Sequence, residues 1–252
     1  MSQPPHLLDD ASIASLERAT LDAVAAPAVH EIDGWLLPFD TSTIGRATSA
    51  VPLRHRDIDP TTLEAIQALY AQRGLQAAYR IADVPGLANL QHALARMGYQ
   101  AHQPTLVQVG LVKAMRAVCR GEPAQVESCP SAAWSAVYLG AGFDPVDGAH
   151  RVQALSRSAH VVYAHVEEGG QSVAAGTAAL SQGWASIHGM RTAVDRRGLG
   201  LAGRILGALA DTASQRGLSR VFLQVEEGNA AALALYARAG FSTAWRYHYW
   251  RR

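Results

Sequence analysis

The chain has 252 residues, enough for one large domain or two of ordinary size. Its 49% hydrophobic content and mean hydropathy of +0.01 exclude a disordered chain, which needs low hydrophobicity and high net charge. With 22 Lys+Arg against 21 Asp+Glu it lacks the basic excess of a nucleic-acid binder, and no apolar run reaches the roughly 18 residues of a membrane span.

The first twenty residues carry acids where a signal peptide carries a basic start and an apolar run. Cys119 and Cys129 form no framework or ligand spacing. The expectation is a cytoplasmic, reduced protein with no metal, no nucleic-acid partner and no membrane partner, as a monomer or homodimer.

In chain order, an amphipathic helix is predicted at about 12–24, ended by Ala25-Ala26-Pro27. Two short strands follow, at 34–39 and 47–52. Pro60-Thr61-Thr62 opens a helix whose Leu63, Ile66 and Tyr70 share one face, interrupted by Gln67, and Gly74 stops it. A strand at 76–82, a helix at 87–97 and a strand near 104–112 complete the first half. Residues 115–130 combine proline and glycine with little periodicity and read as a linker.

The second half repeats this grammar. A helix near 131–139 precedes a hairpin, 159–167 and 172–180, around Glu168-Gly169-Gly170. A strand at 184–192 leads into the glycine-punctuated run 193–200, then a helix with Leu201, Ile205, Leu206 and Leu209 on one face. A strand (220–226), a helix (229–239) and a last strand (242–250) follow. The order αβββαβαβ is that of an α/β layered domain.

The halves look like copies. Gln-Arg-Gly-Leu stands at 72–75 and at 215–218, an offset of 143, and Ala95-Arg-Met-Gly-Tyr99 matches Ala237-Arg-Ala-Gly-Phe241 at an offset of 142. The expected division is 1–114, 115–130 as linker, and 131–252.

The sharpest local signal is Arg197-Gly198-Leu199-Gly200-Leu201-Ala202, between a strand and a long helix. Glycines let a backbone approach an anion, and the amides and dipole of a helix N-terminus favour it. The run is neither a Walker A loop nor a dinucleotide fingerprint. Thirty residues on stands Asn229-Ala-Ala-Ala-Leu-Ala-Leu-Tyr236-Ala-Arg-Ala-Gly240-Phe241. Asn229 suits an N-cap and Gly240 a C′ position, and Asn229 and Tyr236, seven apart, share a helix face.

Together these two signatures resemble the GNAT superfamily of acyl-CoA-dependent N-acetyltransferases, over about 130–252. The resemblance implies two GNAT-like layered domains, each a mixed, mostly antiparallel sheet flanked by helices, with acetyl-CoA as cosubstrate and an amine as acceptor. It places Met190 and Thr192 beside the pantetheine arm, the amides of 198–202 and Arg197 on the pyrophosphate, Asn229 by the pantetheine and Tyr236 at the thioester sulfur. The strand before the loop carries no acid, which leaves His188, Glu226, Glu227 or a water chain as the general base. The first half has no glycine in 51–62, and Leu94 stands at the counterpart of Tyr236. It is similar to the degenerate half of a tandem GNAT protein. Alternatives are a longer acyl-CoA or a non-catalytic acyl-CoA-binding regulator.

Overall fold

The computed structural model describes residues 8–252. The first half runs α1 (Asp10–Val24), β1 (Ala28–Ile32), β2 (Trp35–Phe39), a 3-10 turn at Gly45–Ala47, β3 (Val51–Pro52), α2 (Thr62–Ala71), β4 (Tyr79–Ala82), α3 (Ala88–Arg96) and β5 (Gln100–Leu111). The second runs α5 (Ala132–Leu139), α6 (Pro145–Ser156), β7 (Val161–Glu168), β8 (Gln171–Ser181), β9 (Trp184–Thr192), α7 (Leu201–Gln215), β10 (Arg220–Glu226), α8 (Ala230–Arg238) and β11 (Ser242–Arg251). Between them, α4 (Val112–Arg116) and β6 (Gln125–Glu127) build the expected linker into the fold, because β6 pairs with β7.

Local chemistry explains the ends of these elements. Asp9 caps α1 by accepting from the Ser12 amide at 2.8 Å, and Ala25 leaves the helix in the left-handed region. Ser131, Asp144 and Asn229 cap α5, α6 and α8 in the same way. Three expectations change. Strand β1 and helix α6 are additional. The start of the expected 47–52 strand is a 3-10 turn, which leaves only Val51–Pro52 extended.

Among the described residues the strands form a three-stranded sheet, β1-β2-β3, and an eight-stranded sheet, β4-β11-β5-β10-β9-β8-β7-β6. The order of the large sheet shows an exchange. At the repeat offset of 142 residues, β4 corresponds to β10 and β5 to β11. Yet β10 pairs with β5, and β4 pairs with β11, both antiparallel. Each half thus lends its last strand to the other. The β5–β11 ladder pairs Ser242 with Val109 and Arg251 with Gln100. Those two pairs exchange places under the repeat, so the ladder carries a pseudo-twofold relation between the halves.

The two faces of the large sheet are covered differently. On one, α7 sets Ile205, Leu206 and Leu209 against Ala174, Ile187, Val221 and Leu223. On the other lie α5, α6 and the first half's α1: Trp134, Tyr138, Leu155 and Ala23 pack with Tyr163 and Ala179. Helix α1 is tied down by Trp184 Nε1 donating to Ser15 Oγ at 2.9 Å and by Gln224 Nε2 donating to Thr20 Oγ1 at 2.9 Å. A buried ion pair, Arg80 to Glu17 at 2.6 Å, joins α1 to β4.

Candidate active site

Strands β9 and β10 run parallel, and their register holds only for Ala185–Ile187 against Val221–Leu223. Beyond it, 188–192 and 224–226 part. The parting has local causes. Between Thr177↔His188 and Ala175↔Arg191 the ladder places two residues of β9 opposite one of β8, a β-bulge at Gly189 and Met190. Gly189 takes φ +62°, and a Cβ there would stand 2.7 Å from the Tyr138 hydroxyl. Tyr138 Oη donates to the Gly189 carbonyl at 2.6 Å, which fixes the bulge. Trp134 and Tyr138, on the same face of α5, are both fully buried.

A cavity of about 760 Å³ opens where the strands part. Its lining gathers His188, Met190, Thr192, Arg197, Gly198, Gly200, Leu201, Ala202, Asn229 and Tyr236 from three elements and one loop. Of the donor-site and candidate-base residues named from the sequence, Leu199 and Glu227 stay outside this lining. Leu199 is 60% exposed, so at that position the loop offers its backbone.

Gly198 and Gly200 adopt φ +82° and +80°, a conformation that favours glycine, and a Cβ on either would meet nothing within 4 Å. Gly200 precedes α7 without a side-chain cap. Among the described residues, the amides of 198–202 have no acceptor. They therefore form, with the helix dipole and Arg197, a cradle with open space in front of it for an anion.

Across the cavity, Asn229 Oδ1 accepts from the Ala232 amide at 3.1 Å, which leaves its NH₂ group for other use. Tyr236 packs edge-on against Phe241 with centroids 5.8 Å apart. Burial pushes its phenol up to about 12, so it stays protonated at neutral pH. Among the described residues its hydroxyl has no hydrogen-bond partner.

His188 is 4% exposed, and its Nε2 shares a hydrogen bond with Ser186 Oγ. Burial, then the charge of Arg46, hold its imidazolium form well below the usual histidine range, so the ring is neutral at pH 7. Its side chain faces Phe222, on the sheet face covered by the first half. The two carboxylates considered as bases differ in setting. Glu226 lines the cavity, and its Oε1 accepts from Gln103 Nε2 at 2.7 Å, whereas Glu227 lies 3.5 Å from Arg246.

Sequence reasoning named none of the first-half residues that line this cavity. Thr43 to Arg46, Gln103 and Thr105 line it, as do Tyr247 and Tyr249 of the exchanged strand β11. No motif marks them, because they reach the site through tertiary packing. Arg151 and Arg191 were missed as well. Both hold Asp147, at 2.7 and 2.8 Å, which ties β9 to α6.

Known proteins resemble this chain over nearly its whole length. A family model described as "Probable histone acetyltransferase Rv0428c C-terminal" matches residues 10–250. The uncharacterized N-acetyltransferase YobR of Bacillus subtilis (strain 168) is 26% identical over 267 residues, covering 96% of this chain and 98% of that protein. Two solved structures share the fold. A GCN5-related N-acetyltransferase from Kribbella flavida superposes with a TM-score of 0.67 at 16% identity, over 95% of each chain. A tandem GNAT protein from the clavulanic acid biosynthesis pathway does so with a TM-score of 0.62 at 12% identity, over 97% of this chain and 95% of that one.

Proposed function

Because the chain belongs to the family described as the C-terminal region of the probable histone acetyltransferase Rv0428c, and is an N-acetyltransferase of the GNAT type, we propose that it moves an acetyl group from acetyl-CoA to a primary amine of a small molecule or an amino terminus. The observation that carries this reading is the pairing of an anion cradle at 198–202 with a protonated Tyr236 across one cavity at the parting of β9 and β10.

Each group suits a part of the chemistry. The unbonded amides of 198–202 and Arg197 hold the pyrophosphate of the donor, with Met190, Thr192 and Asn229 along its pantetheine arm. The amine must be neutral to attack the thioester carbon, and His188, neutral at pH 7, takes the proton it sheds. Backbone N–H groups of the bulged strand stabilise the oxyanion. As the C–S bond breaks, Tyr236 gives its proton to the departing thiolate, and the acetamide and free CoA thiol leave.

The division into halves is part of the same proposal. Residues 131–252 carry the donor machinery, 115–130 joins the halves, and 1–114 is a degenerate copy. In that copy Leu94 stands at the tyrosine position and the loop lacks glycine. It supports the site by covering one sheet face and by lending β5. The protein acts in the cytoplasm, without a metal, nucleic-acid or membrane partner, as a monomer or homodimer. No helix of the described residues is long and apolar enough to cross a membrane.

Release of free CoA thiol from acetyl-CoA, measured with a panel of primary amines, tests this reading. Amine-dependent release with a matching acetylated product supports it. Tight acetyl-CoA binding with no transfer to any amine would point to the regulatory alternative. Faster release from a longer acyl-CoA would point to the other.

A further inference from the structure

The cavity is lopsided in charge. Its lining holds six arginines, and Glu226, bonded to Gln103, is the one acidic residue among them. Arg196 pairs with Glu168 and Asp195, and Arg197 and Arg238 stand beside the glycine loop and on α8, where the proposed donor's phosphates would lie. Arg151 and Arg191 are matched by Asp147.

Arg46 is different. It stands on the first half's 3-10 turn, on the sheet face opposite α7, where its charge reaches both His188 and Tyr247. Among the described residues it makes no ion pair, and its Nε is buried with no hydrogen-bond partner. A buried guanidinium edge without an acceptor is costly unless something supplies one. The donor cradle lies on the α7 side of the parted strands, so the missing acceptor belongs to the molecule that enters from the other side.

We infer that the amine acceptor is a small molecule carrying a carboxylate, and that Arg46 binds this carboxylate and so determines acceptor specificity. This rests on the transferase reading above. The planar fork of arginine matches a carboxylate bidentately. With the carboxylate on Arg46, the acceptor's amine is directed toward His188 and the opening between β9 and β10. Cationic acceptors, lysine-rich peptides among them, meet a like charge at the same place. The degenerate half thus supplies the residue that selects the acceptor, which accounts for a first half that lacks the donor motifs yet lines the site.

The experiment compares matched acceptors, namely glycine, β-alanine and γ-aminobutyrate against their carboxamides, with a lysine-rich peptide as a third class. It uses the full chain, Arg46→Gln and Arg46→Lys. In the wild-type protein, kcat/KM for at least one acid should exceed that of its amide by tenfold or more, since a site built around a charged hydrogen bond rejects the analogue lacking it. Arg46→Gln should erase that ratio through acceptor KM while acetyl-CoA KM stays within about twofold, and Arg46→Lys should restore part of it. Amides or the basic peptide used as well as the acids would overturn the inference while leaving the transferase reading intact. So would an unchanged ratio in Arg46→Gln, or a rise in acetyl-CoA KM alone. If no acceptor is turned over, the transferase reading fails by itself. Calorimetry of the same acids and amides with CoA present then decides the Arg46 site: acid-selective binding lost in Arg46→Gln supports it, and no selectivity refutes it.

Discussion

Tyr138 Oη and the Gly189 carbonyl, 2.6 Å apart, join a helix of the outer layer to the β-bulge that parts the sheet. The hydroxyl is buried and its ring is wedged against Trp134, with centroids 4.7 Å apart. The same contact leaves no room for a Cβ at 189. Glycine at that position and tyrosine at 138 are thus one device, which fixes the backbone proposed to hold both donor and oxyanion.

Tyr138→Phe keeps the ring and leaves the Gly189 carbonyl without its donor. A loss of about 1–3 kcal/mol is expected for a buried acceptor stripped of its partner. Chemical denaturation should report it, together with a several-fold rise in the acetyl-CoA dissociation constant as the bulge loosens. Unchanged stability and affinity would mean that the bulge holds itself.

Tyr236→Phe removes the hydroxyl proposed as the proton donor and preserves the packing on Phe241. General acid catalysis contributes roughly 10²–10⁴-fold, so acetyl-CoA affinity should hold while kcat falls by at least about tenfold, the smaller losses arising where water substitutes as donor. Pre-steady-state acetyl transfer isolates this step. An unaltered chemical rate would remove Tyr236 from the mechanism.

His55 is mostly buried, edge-on to Trp245 at 4.7 Å, and burial lowers it from 6.5 to about 4. The folded state therefore resists protonation more than the unfolded state does. Stability is full above pH 6.5 and is lost as the pH falls from 6.5 toward 4, by about 2 kcal/mol for this group after allowing for its partial exposure. His188, lowered as well, acts in the same direction. His55→Phe should flatten the fall in melting temperature between pH 7 and pH 4.5. A parallel fall in both proteins would assign acid sensitivity elsewhere.

The proposed donor side of this site was legible in the sequence because its physics is local. A glycine loop before a helix and an Asn-capped helix bearing Tyr236 are each written within thirteen residues or fewer. Strands β9 and β10 likewise lie where their patterns put them. The exchange of β5 and β11 was not legible, since alternation shows that a strand has a buried face and says nothing of which neighbour it takes. Arg46 and Gln103 were invisible for a related reason. They reach the cavity from the other half of the chain, and no spacing records that approach. Helix α6 escaped a sequence reading, and it contains Pro145 and Gly148, residue types that ordinarily interrupt a helix. The proline sits at the first turn, where its missing N–H costs nothing, and a Cβ at Gly148 would lie 2.2 Å from the Tyr138 carbonyl oxygen.

Calorimetric titration of the full chain with acetyl-CoA tests the central claim, that one donor site lies where β9 and β10 part. One molecule should bind per chain, and Gly200→Val should abolish binding, because a branched side chain would fill the open space before the amides and strain a residue held at φ +80°. Two molecules per chain, or wild-type affinity in Gly200→Val, would contradict it.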